Sequence, residues 1–184
     1  MTLDLFSNLS EEEIKGDEIP VYYNYHLFTQ GNFLMASTAD GLCAIGFPNT
    51  NPDIFFKNLK IRFPKGQLIK KEKPFREVIN QLEEYFSGSR QAFDLPLELA
   101  GTPFQLSVWK YLLTIPYGEI QSYKQVATAL NTNPRTVGRA IGDNPVPIIV
   151  PCHRVIGSNG QMVGFRGGIN MKIWLLQHEN AIIL

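Results

Sequence analysis

The order of apolar and polar positions changes character near residue 100. Before it, short runs rich in aromatic and β-branched residues predict strands. Residues 21–28 read Val-Tyr-Tyr-Asn-Tyr-His-Leu-Phe, and residues 32–37 and 42–47 are two further apolar runs. The last two flank Ala39-Asp40-Gly41, and Asp-Gly between apolar runs is a strong hairpin signal. A helix is expected from Pro74, with Phe75, Val78, Ile79, Leu82 and Phe86 on one face and Gly88 as its stop. Residues 92–99 then return as a strand that Pro96 restricts to an edge or a bend. The first ~20 residues form an acidic lead-in, with Glu11, Glu12 and Glu13 as a solvated face.

After Ala100-Gly101 the spacing becomes helical. Thr102-Pro103 supplies an N-cap followed by proline in the first turn, and Phe104, Val108, Trp109 and Leu112 continue that helix up to Pro116-Tyr117-Gly118. A second helix starts at Ser122, with Val126 and Leu130 inward, until Asn131-Thr132-Asn133 interrupts it. A third runs from Pro134 through Val137 and Ile141. Two short helices across a polar turn have the form of a helix-turn-helix. The third helix carries Gly138 and Ala140 beside Arg135 and Arg139. A glycine inside a helix costs about 1 kcal/mol relative to alanine, so it answers either to tight packing against a neighbouring helix or to a close approach by another backbone. The fold class is α+β: a small N-terminal antiparallel sheet with a helix, then a helical domain. The boundary falls at 100/101.

Composition narrows the picture. A chain of 184 residues holds one good core or two small ones. No apolar run reaches the ~18 residues of a membrane span, and the N-terminus has no signal-peptide pattern. Cys43 and Cys152 are the two cysteines; with three histidines they leave little material for a metal site, and a reducing cytoplasm is the default. Cys43, within a strand, is expected to be a small buried apolar group. The net charge is zero, but residues 1–100 carry 10 Lys+Arg against 14 Asp+Glu, whereas residues 101–184 carry 7 against 3. That asymmetry points the second half toward an anionic partner.

The chemistry concentrates in Asn144-Pro-Val-Pro-Ile-Ile-Val-Pro-Cys-His-Arg154. Pro147 and Pro151 exclude a continuous helix, and Ile148-Ile149-Val150 should be buried, delivering Cys152 on a rigid segment. His153 follows directly. Adjacency alone does not pair the two, because neighbours on an extended strand point apart; a turn or a bridging water is needed before His153 activates the thiol.

Pro151-Cys152-His153-Arg154-Val155 resembles the active-site signature of the O6-alkylguanine-DNA alkyltransferases. The resemblance runs from about Phe93 to Leu184 through Gly101-Thr102-Pro103-Phe104-Gln105, Ile115-Pro116-Tyr117-Gly118, Ser122-Tyr123, Gly142-Asp143-Asn144-Pro145 and Trp174-Leu175-Leu176. The N-terminal 90 residues share only its general pattern. The resemblance implies a ribonuclease-H-like α/β domain over 1–100 and a winged helix-turn-helix active-site domain over 101–184. It implies DNA repair by a stoichiometric, irreversible transfer of the alkyl group from O6-alkylguanine, and from O4-alkylthymine, to Cys152. His153 would be the general base through a water, Glu179 its orienting acid and Asn144 the hinge. Tyr123 would donate to the flipped base, and Arg135 would fill the gap in the stack. Gly138 and Ala140 would face the DNA. Val155, Phe165, Arg166 and Pro147 would form the pocket, with the main chain at Cys152 and Val155 holding the guanine amino group. Arg166 departs from the serine of many members, which puts a hydroxyl role and the pocket width in question. No cofactor or metal is implied. The partner is double-stranded DNA, entered from the minor groove, by a monomer in the cytoplasm with no membrane contact.

Three other readings compete with this one. A lesion-recognition module of the alkyltransferase-like kind lacks the acceptor cysteine, which is present here. A Cys-His hydrolase needs an oxyanion hole that nothing near 145–151 provides. A regulator with an added metal domain needs more cysteines than two.

Overall fold

The computed structural model describes residues 17–182. The acidic lead-in with Glu11, Glu12 and Glu13 lies almost wholly outside them. Three strands follow in sequence, β1 (Ile19–Phe28), β2 (Gly31–Ser37) and β3 (Leu42–Gly46). They pair antiparallel, and the Asp40-Gly41 turn joins the last two as the sequence predicts. Two elements escape the pattern reading. Helix α1 (Pro52–Arg62) leads into β4 (Gly66–Lys70), which lies parallel to β1 and completes a mixed sheet of order β3-β2-β1-β4. The α1 signal was there: Asn51 caps the helix by accepting from Asp53 N and Ile54 N, and Pro52 opens it. Its apolar residues sit on more than one face, with Ile54 and Ile61 exposed and Phe55, Phe56 and Leu59 buried, so its periodicity is weak.

The sheet is covered on both faces, which explains its unbroken apolar runs. Leu34 and Ala36 of β2 face α1 together with Val21, Tyr23 and Cys43. Phe33 and Met35 point the other way, onto Phe75, Val78, Leu82 and Tyr85. The last three belong to helix α2 (Arg76–Phe86), entered through a 3-10 turn at Lys73–Phe75 where the sequence placed the start. Residues 92–99 form no full strand. Pro96 has no N–H to give, so the segment keeps a single bridge, Leu42 to Leu97, with Leu42 N donating to Pro96 O (2.8 Å) and Glu98 N to Leu42 O (3.0 Å).

The second half is helical. Helix α3 (Pro103–Leu112) starts in a capping box between Thr102 and Gln105, and α4 (Tyr123–Ala129) in one between Ser122 and Gln125. Asn133 caps α5 (Pro134–Gly142), and α6 (Ile169–His178) closes the chain. Helices α4 and α5 form the helix-turn-helix, and buried Trp109 pins α3 to α5 by donating to Ala140 O at 2.8 Å. Short parallel strands β5 (Gln121–Ser122) and β6 (Val155–Ile156) pair beside them. One apolar cluster runs from Phe33 and Tyr85 through Trp109 to Val150 and Leu175, so both halves share a core. Among the described residues no helix is long and apolar enough to cross a membrane.

Gly41 tests the contact between hairpin and crossing segment. Its φ is +146°, and a Cβ there would lie 2.4 Å from Pro96 O, a backbone atom. Gly41→Ala should cost about 2–4 kcal/mol. At this size each kcal/mol is worth about 2–4 °C, so thermal melting should show a fall of roughly 5–15 °C. A change under about 2 °C would mean that the 96–97 segment moves aside freely.

Candidate active site

The loop from α5 to Cys152 is built around one side chain. Asn144 is buried; its Nδ2 donates to Val150 O (2.9 Å) and its Oδ1 accepts from Val146 N (3.0 Å). That clamp closes a tight turn in which Pro147 bridges to Val150 and Ile148 takes a φ of +76°. A β-branched residue rarely adopts that conformation, so local strain is held in place here by the packed surroundings. Pro145 O accepts from Ile45 N of the edge strand β3 (2.8 Å), fixing the loop to the sheet. Cys152 then opens a 3-10 turn, Cys152–Arg154, and the turn supplies the change of direction that an extended strand lacks. Strand β6 follows at once and, through β5, ties Tyr123 to the same place.

Behind the cysteine lies a fully buried ion cluster. Glu179 Oε1 accepts from His153 Nε2 (2.8 Å), Arg154 Nη2 (2.9 Å) and Tyr85 Oη (2.7 Å). Its Oε2 accepts from Arg154 Nε (2.8 Å) and Gly118 N (3.3 Å). Burial pushes the Glu179 carboxyl up, but the hydrogen bonds and charges of His153 and Arg154 outweigh it and hold the group well below the ordinary carboxylate range. An ionised carboxylate only accepts, so His153 Nε2 carries a proton and Nδ1 carries the lone pair. Nδ1 is buried and has no hydrogen-bond partner among the described residues. Burial lowers the His153 pKa in spite of Glu179, which keeps the ring neutral. The Cys152 thiol is pushed up by burial, while Asn144, Lys172 and Arg166 pull it back. Cys43 stands apart: it is buried within the sheet half, and its thiol is pushed up to about 12 by burial and then by Glu98. Both thiols are free.

Cys152 reaches a cleft of about 970 Å³ between α5 and the loop before α6. Tyr123, Arg135, Gly138, Asn144, Pro147, Phe165 and Arg166 all line it. A Cβ on Gly138 would lie 3.8 Å from the Tyr123 ring, so internal packing does not demand the glycine. Ala140 is a correction: it is buried in the core, two positions and about half a helical turn from Gly138, and faces away from the cleft. Val155 also lies inside rather than on the cleft wall, and its carbonyl accepts from Lys172 Nζ at 2.6 Å. Arg166 does not plug the pocket. Its Nη2 donates to Gly142 O (2.7 Å), capping the end of α5. The Phe165 ring packs at a tilt against Phe47 of the sheet half, with ring centres 5.1 Å apart, and a Cβ on Gly167 would meet the Phe47 ring at 2.9 Å. His153 and Glu179 line no part of the cleft and lie behind Cys152.

The sequence reading missed Lys172 and Tyr85. Lys172 is fully buried, donates to Val155 O and Val163 O, and is lowered to about 8 by burial against the opposing pull of Cys152. Its signal was a lone lysine inside the apolar run Met171 to Leu176. Tyr85 sits at helical spacing from Val78 and Leu82, which marks a core position and says nothing of where its hydroxyl goes.

Comparison with known proteins agrees over both halves. Residues 103–181 match the family model described as the DNA binding domain of 6-O-methylguanine DNA methyltransferase, and residues 21–99 match its ribonuclease-like domain. The inducible methylated-DNA–protein-cysteine methyltransferase of Bacillus subtilis is 42% identical over 161 residues, covering 86% of this chain and 90% of its own. The Methanosarcina barkeri methylated-DNA–protein-cysteine methyltransferase is 41% identical over 161 residues, covering 86% and 97%. The crystal structure of Mycobacterium tuberculosis OGT in complex with DNA superposes with a TM-score of 0.75 at 38% identity, covering 86% of this chain and 92% of that one. With a sheet half and a helical half each matched along nearly their whole length, this chain belongs to the 6-O-methylguanine DNA methyltransferase family.

Proposed function

We propose that this protein repairs DNA by moving the alkyl group of an O6-alkylguanine onto its own Cys152, once per molecule. The observation that carries the reading is the thiol itself: it opens on a cleft beside α5 with ample room for a base and is backed by a neutral, carboxylate-held histidine. The damaged carbon lies inside a duplex, so the nucleotide is turned out into the cleft, at a cost of a few kcal/mol. Arg135, exposed at the start of α5, enters the vacancy left in the stack.

Because burial keeps Cys152 protonated at rest, the thiol loses its proton as it attacks. His153 Nδ1 takes that proton through a water, and Glu179 stabilises the imidazolium through Nε2. The Sγ–C bond forms as the C–O6 bond breaks, and the electron pair passes to the guanine. Tyr123, held protonated by a pKa near 12, donates toward the leaving base, and a proton taken up by the guanine balances the one lost by the thiol. The thioether product has no disulfide bond for a thiol to reduce, so the protein is spent. O4-alkylthymine presents the same O-alkyl linkage and suits the same displacement. In this reading residues 101–184 meet the DNA and do the chemistry, residues 1–100 form a ribonuclease-H-like support, and the protein works as a cytoplasmic monomer in the minor groove. The small residue at Gly138 supports that close approach.

The direct test is a duplex carrying O6-methylguanine with a labelled methyl group. Peptide mass should find one label per chain, on Cys152. Cys152→Ala should take up none yet bind the duplex within about three-fold, since phosphate contacts dominate affinity. Label at Cys43 in that variant would sink the assignment. Arg135→Ala should slow duplex repair at least about tenfold while leaving reaction with free O6-alkylguanine base within about two-fold, because the free base needs no extrusion. Equal losses on both substrates would remove the stack-filling role. The pH profile follows from the depressed His153 pKa. Protonation switches the base off, so the single-turnover rate should stay level from about pH 7 to 8 and fall only below the ordinary histidine value of ~6.5. A rate rising about tenfold between pH 7 and 8 would assign the limb to the thiol instead.

A further inference from the structure

We infer that Tyr85, on α2 of the sheet half, is a positioning residue for the chemistry at Cys152: its hydroxyl shares Glu179 Oε1 with His153 and sets how strongly that carboxylate holds the imidazole. The inference rests on the transfer reading above. Tyr85 is 0% exposed, and its Oη donates to Oε1 at 2.7 Å, beside His153 Nε2 at 2.8 Å on the same oxygen. Burying a phenol hydroxyl without need is unfavourable, and phenylalanine would fill the same space. Charge balance does not require the hydroxyl either, because Arg154 already makes two bonds to the carboxylate. What the hydroxyl does is draw electron density from the oxygen that faces the histidine.

The ring is held so that it aims well. His178 Nε2 hydrogen-bonds Tyr85 O at 2.6 Å, and the Tyr85 ring meets the rings of His178, Phe93 and Tyr117 at 5.2, 5.3 and 6.2 Å. The other groups facing this cluster are Arg154 on the 3-10 turn, Lys172 and His178 on α6, Tyr117 beside Gly118, and Cys152 itself. Burial and the neighbouring carboxylate push the Tyr85 phenol far up, so it stays a donor across the working pH range. Without it, Glu179 remains anchored by Arg154 and Gly118, and its charge falls more fully on His153. The imidazole then holds its proton more tightly and is a poorer base at low pH.

The experiment compares single-turnover transfer from pH 5 to 8.5 in the unaltered protein, in Tyr85→Phe, and in protein carrying 3,5-difluorotyrosine at position 85. Tyr85→Phe should lose about three-fold at pH 5.5 and stay within about two-fold at pH 8, while the fluorinated residue, a stronger donor, should move the acid limb the opposite way. A purely structural role predicts parallel curves, lowered equally at every pH, and parallel curves in both arms would overturn the inference. Should Tyr85→Phe fail to fold, the fluorinated protein decides alone by the direction of its shift. If the unaltered protein labels Cys152 and neither arm moves the limb, this inference alone falls. If the unaltered protein places no label on Cys152, the transfer reading falls and takes this one with it.

Discussion

The buried Glu179 carboxylate is the constraint on which the rest of the site depends. An ionised group removed from water is costly unless every lone pair finds a donor, and Glu179 finds five. Those donors come from distant parts of the chain: α2, the turn at Gly118, and both residues after Cys152. The cluster therefore does two things at once. It closes the fold by bringing the ends of the helical half onto the sheet half, and it fixes the tautomer of His153. That the ring's lone pair sits on Nδ1 follows from where the carboxylate is, rather than from any property of the Cys-His pair alone.

The second constraint is the strained turn before Cys152. Three prolines and the Asn144 clamp leave the segment little freedom, and Ile148 pays with a left-handed backbone. Strain of this kind persists only where the surroundings over-determine it. Here they do so from both sides, through Ile45 N on Pro145 O and through the shared apolar cluster around Val146 and Val150. Cys152 is thus carried on rigid backbone, with rotation of its own side chain as the main freedom left.

Much of this was legible in the sequence because local signals agreed with the global fold. The N-cap at Thr102, the helix start at Ser122, the Asp40-Gly41 hairpin and the proline-bracketed loop each report on a few neighbouring residues, and each falls where the structure puts it. The failures are non-local. Strand β4 pairs parallel to β1 across some forty residues, which no short pattern records. Ala140 looked like part of the α5 surface because it neighbours Arg139, but helical rotation turns it toward Trp109. Tyr85 and Lys172 were hidden for one reason: each has its aliphatic or aromatic body in the core and only its polar tip at the site. A sequence shows the body's periodicity and says nothing of where the tip ends.

That distinction changes what the first hundred residues are for. Read along the chain, they carry no chemistry. In space they supply the ring under Phe165, the bond that fixes Pro145, and the Arg62 guanidinium that donates to Asp143 O at 2.8 Å, beside the Gly142 carbonyl held by Arg166. Helix α5 thus has its C-terminal carbonyls gripped by two cations, one from the sheet half and one from the cleft wall, where the helix dipole favours positive charge. The cleft wall, helix α5 and the loop bearing Cys152 are three separate segments, and each has a contact to the sheet half. A force on any one of them, such as a base entering the cleft or a methyl group added to the thiol, is therefore resisted by a shared frame and felt by the others through it.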